Sequence, residues 1–182
     1  MGNAWSKSAV QPVPLPEGSL AARAFPRIDY ADAFRVRVPR EPPESVDALC
    51  RALFSDAPAW VILLMRLRNA LVRPFGLRTT VPPASLPHPD GVLRPGDRVG
   101  IFRVFERAPA EVLLGDDDRH LDFRVSVRME SGDAACWVVV STVVRFHGWL
   151  GRAYFLPVRP FHRAIVPALL RRGIRNAARG KT

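Results

Sequence analysis

Two stretches alternate between apolar and polar residues with a period of two, and they set the frame for the rest of the chain. In the first, Leu121, Phe123, Val125, Val127 and Met129 fall on one side and His120, Asp122, Arg124, Ser126 and Arg128 on the other. That is the pattern of a strand buried on one face. In the second, Cys136, Val138, Val140, Thr142, Val144 and Phe146 share one side, and Trp137, Val139, Ser141, Val143, Arg145 and His147 the other. Because it is apolar on both faces, this strand reads as an inner one with something covering each side. The residues Glu130, Ser131, Gly132 and Asp133 read as a tight turn, since Gly132 can take positive φ without steric penalty. The predicted pairing sets Phe123 opposite Val140 and Asp122 opposite Ser141, and a one-residue slip would turn every apolar side chain to the wrong face.

The other segments follow by the same reading. Residues 1–26 contain Pro12, Pro14, Pro16 and Pro26, which predict a flexible arm without regular structure. Tyr30, Phe34, Val36 and Val38 against Asp29, Arg35 and Arg37 predict a first strand, closed by Pro39, Pro42 and Pro43. Ser45 caps a predicted short helix from Val46 to Phe54, with Glu44 and Asp47 near its positive end. A second helix starts near Pro58 and ends before Pro74 and Gly76, with Trp60, Leu63, Leu64, Leu67 and Leu71 as its apolar stripe. Residues 79–97 hold five prolines and predict a loop, with His88 exposed. Short strands follow over 99–107 and 111–115, and Asp116 to Asp118 form a solvated turn.

After His147, Gly148 breaks the strand and a helix starts near Leu150, with Pro157 and Pro160 expected to kink or interrupt it. Phe161, Ile165 and Leu169 predict its core side, while Arg163, Arg171, Arg175 and Arg179 make a cationic stripe close to the opposite side. The order predicts one α+β domain over residues 27–178, with 179–182 as a tail. Its curved antiparallel sheet wraps the long C-terminal helix, and two short helices follow the first strand.

Charge sharpens the picture. The 27 cations exceed the 17 acids by ten, and Lys7 and Lys181 are the only lysines. From Ala134 onward nine cations and no acid occur, which favours anionic partners or simply reflects solubility and arginine bias. Cys50 and Cys136 sit in predicted buried elements, as free thiols suited to a reducing cytoplasm. No apolar run reaches the ~18–20 residues of a membrane span, and the start lacks a signal-peptide pattern. Met1 to Ser6 matches the loose N-myristoylation pattern, which recurs often by chance.

Several stretches resemble a bacterial family, domain-of-unknown-function family 2867. They are Asp29-Tyr30-Ala31-Asp32-Ala33-Phe34, Leu67 to Gly76, Gly115 to Arg124, Thr142 to His147, and Gly151-Arg152-x-Tyr154 with Pro160-Phe161-His162. The family brings no established activity. The element order is also similar to the helix-grip fold of START lipid-transfer domains and polyketide cyclases, an analogy of fold alone.

His120 and Asp122 are the candidate catalytic pair, an acid–base histidine with an orienting carboxylate. Arg124, Thr142, Arg145, Arg152, Tyr154 and His162 are candidate ligand-binding residues, which a helix crossing the sheet would bring around one cavity. Alternating charge on a solvent-facing strand gives the same pattern for the first group. Nucleophile-elbow, phosphate-loop, dinucleotide and zinc-protease motifs do not occur in the sequence, and no cofactor or metal is expected. The leading expectation is a module that binds a small, largely apolar or amphipathic ligand, with arginines meeting an acidic group. The alternatives are a cyclase- or isomerase-like enzyme using His120 and Asp122, and a domain that meets anionic surfaces or proteins through its arginine-rich last helix. Specific nucleic-acid recognition is not expected.

Overall fold

In the computed structural model, residues 9–38, 43–54, 85–86, 88–132 and 135–179 are described, with side chains as far as 176. The strand that is apolar on both faces lies inside the sheet, as expected. This strand, β7 (Ala135–Phe146), pairs with β2 (Tyr30–Val38) on one side and β6 (Leu121–Gly132) on the other. Beyond them, β1 (Gln11–Val13) flanks β2, while β5 (Glu111–Asp117), β4 (Phe102–Ala108) and β3 (Arg98–Val99) continue from β6. All seven strands form one antiparallel sheet in the order β1-β2-β7-β6-β5-β4-β3. Two helices are described, α1 (Val46–Phe54) and α2 (Trp149–Arg179). The architecture is α+β and helix-grip-like, a curved sheet with a long C-terminal helix. The helix expected over 58–73 lies outside the described residues.

The two sheet faces have different covers. On one, Val166, Leu170 and Ile174 of α2 and Val46, Leu49, Cys50 and Leu53 of α1 pack on Phe34, Val36, Val127, Val138 and Val140. Each fully buried aliphatic side chain there contributes about 1.5–3 kcal/mol. The opposite face is covered by the N-terminal segment, whose Leu20, Ala21 and Phe25 pack on Leu113 and Val143. The prolines did not exclude regular structure in this segment: it contributes β1 and a 3-10 turn at Ala21–Arg23. Pro12 fits because it lies on the outermost strand, where its missing N–H breaks no interior ladder. The backbone N–H of Leu20 donates to Glu111 Oε1 at 2.8 Å, and that carboxylate also accepts from Ser126 Oγ. The segment is the second cover that β7 required.

Three expectations about strand register and the last helix are corrected. First, β6 and β7 pair Phe123 with Val144 and Asp122 with Arg145, a slide of four residues from the predicted register. β6 runs on through Gly132, into the expected turn, and its connection to β7 (133–134) lies outside the described residues. An even-numbered slide keeps every side chain on its face, so the alternation could not distinguish the two registers. Second, α2 continues through Pro157, Pro160 and Pro167. Each proline deprives the carbonyl four residues earlier of its partner, and those residues, Ala153, Leu156 and Arg163, are all exposed, so water can take the carbonyls. Third, the buried side of α2 carries Phe155, Val166, Leu170 and Ile174, whereas Phe161 is 52% exposed. The helix has apolar residues on several sides, so a four-residue step alone did not identify the inner one.

The remaining details are local. Ser45 caps α1, its Oγ accepting from the Ala48 N–H at 3.1 Å. His88 is half-buried, contrary to expectation, with Nε2 3.0 Å from Asp97 Oδ2. Among the described residues no group of three His, Cys, Asp or Glu side chains is arranged to hold a metal ion, and no helix is long and apolar enough to cross a membrane.

Candidate functional site

On the helix-covered face, two apolar clusters share Phe123 on β6, and a polar seam parts them where β2 and β7 face α2. Below it lies the main core. Above it, Leu121, Val144 and Phe155 pack with Tyr30, Phe146, Tyr154 and Val158. The seam follows from strand alternation: Asp32 pairs with Thr142 across β2 and β7, one inward rung away from Tyr30 and Val144. His162 projects from α2 onto this rung. Its Nε2 lies 3.3 Å from Asp32 Oδ1 and 3.1 Å from Thr142 Oγ1. A carboxylate accepts only, so the ring nitrogen donates toward it. Tyr30 donates its hydroxyl to Asp32 Oδ2 at 2.5 Å.

The rim of this quartet is cationic. Arg159 lies over the Tyr30 ring at 5.5 Å, and the positive charge of Arg163 acts on the Tyr30 hydroxyl, favouring its ionised form. Burial pushes the Tyr30 hydroxyl above its ordinary value, and its bond to Asp32 adds to the shift. Phe155 packs on the Tyr30 ring with centroids 4.8 Å apart. His162 and Tyr30 remain half-buried, so the seam reaches the surface beside the two arginines.

Asp122 lies on the opposite face and is 4% exposed. Its Oδ2 accepts from Arg145 Nη2 at 2.5 Å and from His147 Nε2 at 2.9 Å. The other His147 nitrogen faces the Arg119 carbonyl at 3.2 Å, so the ring is fixed at both ends. Beside it, Arg124 bonds Asp117 at 2.8 Å and lies over Phe105 and Phe25. The histidine partner of Asp122 is therefore His147, not His120.

The eight candidate residues thus do not surround one cavity, because the sheet divides them. Thr142 and His162 meet on the helix side, whereas Asp122, Arg124 and Arg145 meet beneath the N-terminal segment. His120 precedes β6, and its Nε2 is buried without a hydrogen-bond partner. Arg152 approaches Asp29, Nη2 to Oδ1, at 3.9 Å, and Tyr154 belongs to the upper apolar cluster. Asp29 also accepts from the Phe146 N–H at 2.8 Å, which holds its carboxyl below the usual range. Tyr30, Asp32 and His147 were absent from the sequence-based candidates. Tyr30 and Asp32 were visible as residues two apart on the first strand, and so share its inward face.

The Asp122 cluster predicts an acid-dependent loss of stability. Burial raises the carboxyl, but His147 and Arg145 outweigh it and hold it below the usual carboxylate range. A depressed native pKa stabilises the fold fully above the unfolded value of about 3.9, and the contribution fades as pH falls from there through the native pKa. Chemical denaturation from pH 7 to pH 2.5 should show this loss below about pH 4.5, with a shallower acid limb in Asp122→Asn. Parallel acid limbs for the two proteins would show that Asp122 does not contribute.

A search of the curated proteins found no match. The family model for proteins of unknown function DUF2867 matches residues 24–169, which include β2, the whole sheet beyond it, and α2 through the quartet at His162. The chain belongs to this family.

Proposed function

We propose that the domain binds a small, largely apolar molecule with an acidic group, held where β2 and β7 meet the first half of α2. The observation that carries this reading is the quartet Tyr30, Asp32, Thr142 and His162 on an otherwise apolar inner face, with Arg159 and Arg163 at its rim. Sites for small molecules combine apolar walls with a few fixed polar groups. The upper apolar cluster supplies such a wall, and the arginines supply charge for a carboxylate or phosphate. The deeper space beneath α1 and the second half of α2 is packed with side chains, so the ligand belongs at the seam. Free Cys50 and Cys136, both with burial-raised thiols, support a reducing, cytoplasmic setting.

Native mass spectrometry of gently purified protein, with identification of whatever denaturation releases, tests the reading. The expected result is a stoichiometric acidic amphiphile, retained by wild type and at least tenfold weaker in Arg163→Gln and in Thr142→Val. A ligand at 100 times its Kd would also stabilise the fold by about 2.7 kcal/mol. An empty protein, with no thermal stabilisation by fatty acids or aromatic carboxylates, would overturn the proposal.

A further inference from the structure

A second surface adjoins the quartet and shares its rim arginines. Six large hydrophobic residues are well exposed among the described ones, and four of them, Trp149, Leu150, Leu156 and Phe161, lie in the first half of α2. Trp149 is 75% and Leu156 72% exposed. Successive residues turn by about 100°, so Trp149, Leu156 and Pro160 fall within a narrow sector pointing away from the sheet. The inward side of the same turns carries Phe155, with Tyr154 and Val158 packed beside it. This half of the helix is therefore apolar toward both core and solvent, and such a helix calls for a cover on each side. Arg152, Arg159 and Arg163 are exposed along one edge of the outward sector, and no Asp or Glu occurs anywhere after residue 134.

We infer that this face docks on an anionic lipid bilayer. Trp149 and Leu156 would enter the boundary between headgroups and acyl chains, and the arginines would meet lipid phosphates. Tryptophan has an apolar body and a polar N–H suited to that depth, and arginine keeps its head at the phosphates while its stem lies on apolar surface. Charge argues against a second copy as the occupant. A two-fold interface sets the same patch against itself, and these arginines would then oppose arginines with no acid on either helix. Arg152 has the nearest carboxylate, Asp29 at 3.9 Å, yet its side chain stays 66% exposed.

Flotation of the full chain with vesicles of 30% phosphatidylglycerol in phosphatidylcholine tests the inference, with pure phosphatidylcholine vesicles as reference. Recovery with the anionic vesicles should exceed the reference at least tenfold at low salt and fall steeply by 0.5 M salt, because surface charge is then screened. Trp149→Ser with Leu156→Ser alters only exposed side chains and should abolish most of the binding, with an unchanged melting temperature. The tryptophan emission of the wild type should shift to the blue on adding anionic vesicles, and that of Trp149→Phe much less. Absence of flotation at low salt would overturn the inference. So would binding that the double variant leaves intact, which would place the contact elsewhere. A concentration-dependent dimer that the double variant dissolves, without vesicle binding, would assign the face to a second copy.

Discussion

Replacing Gly151 by alanine should destabilise the protein by about 2–3 kcal/mol, although glycine to alanine within a helix ordinarily stabilises by up to about 1 kcal/mol. A Cβ at this position would lie 2.1 Å from the His120 carbonyl oxygen and 3.1 Å from its carbon. The first turn of α2 therefore rests directly on the backbone just before β6. That carbonyl cannot yield freely, because it accepts the His147 N–H at 3.0 Å. Either the bond breaks or the start of the helix lifts. His162 stands eleven residues further along the same helix, about 16 Å along its axis, so a lifted start would also loosen its contact with Asp32 and Thr142. At this chain length the expected fall in Tm is about 5–10 °C. Gly148→Ala is the control, since nothing lies within 4 Å of its Cβ position, and it should stay within about 0.5 kcal/mol of wild type. Equal melting temperatures for the two variants would show that α2 is not seated by this contact.

The same glycine shows how far the sequence could be read. Alternation identified both central strands, their faces and the interior place of β7, because burial on a pleated sheet enforces a period of two whatever the partner. Its double apolar pattern even required a second cover, though not which segment provides it. The N-terminal stretch looked unstructured because prolines dominate local propensity, while the burial of Leu20, Ala21 and Phe25 is a tertiary effect. In the candidate site, Thr142 and His162 were both among the sequence candidates, yet their partners Tyr30 and Asp32 come from a strand more than a hundred residues away. His120 and Asp122 were paired by spacing, whereas the register sets Asp122 opposite Arg145 and within reach of His147. Pairing partners depend on register, and an even shift leaves alternation unchanged.

Asp47 illustrates the limit most sharply, and its removal should have the largest effect of any single side-chain truncation proposed. The sequence showed it only as a carboxylate near the positive end of α1, where the helix dipole favours it. In the structure it is 1% exposed and ties α1 to β4 and to the loop at Leu93. Oδ1 accepts from the Leu93 N–H at 2.9 Å and from Arg107 Nε at 3.1 Å, and Oδ2 accepts from Arg107 Nη2 at 2.9 Å. Burial alone would push its carboxyl up, but Arg107 and the Leu93 N–H outweigh it and hold it below the usual carboxylate range. Asp47→Ala would strand a guanidinium and the N–H of Leu93, which is itself 3% exposed. Breaking a buried pair from one side costs about 3–5 kcal/mol. Arg107 retains 29% of its side-chain exposure and can regain some water, so the expected loss is about 3 kcal/mol, or a fall in Tm of about 6–12 °C. Removing both partners should cost less than the sum of the single changes, because Asp47→Ala with Arg107→Ala leaves no unpaired charge behind. Additive losses in that double-mutant cycle would show that the two side chains stabilise the fold separately, through packing rather than through their bidentate pair.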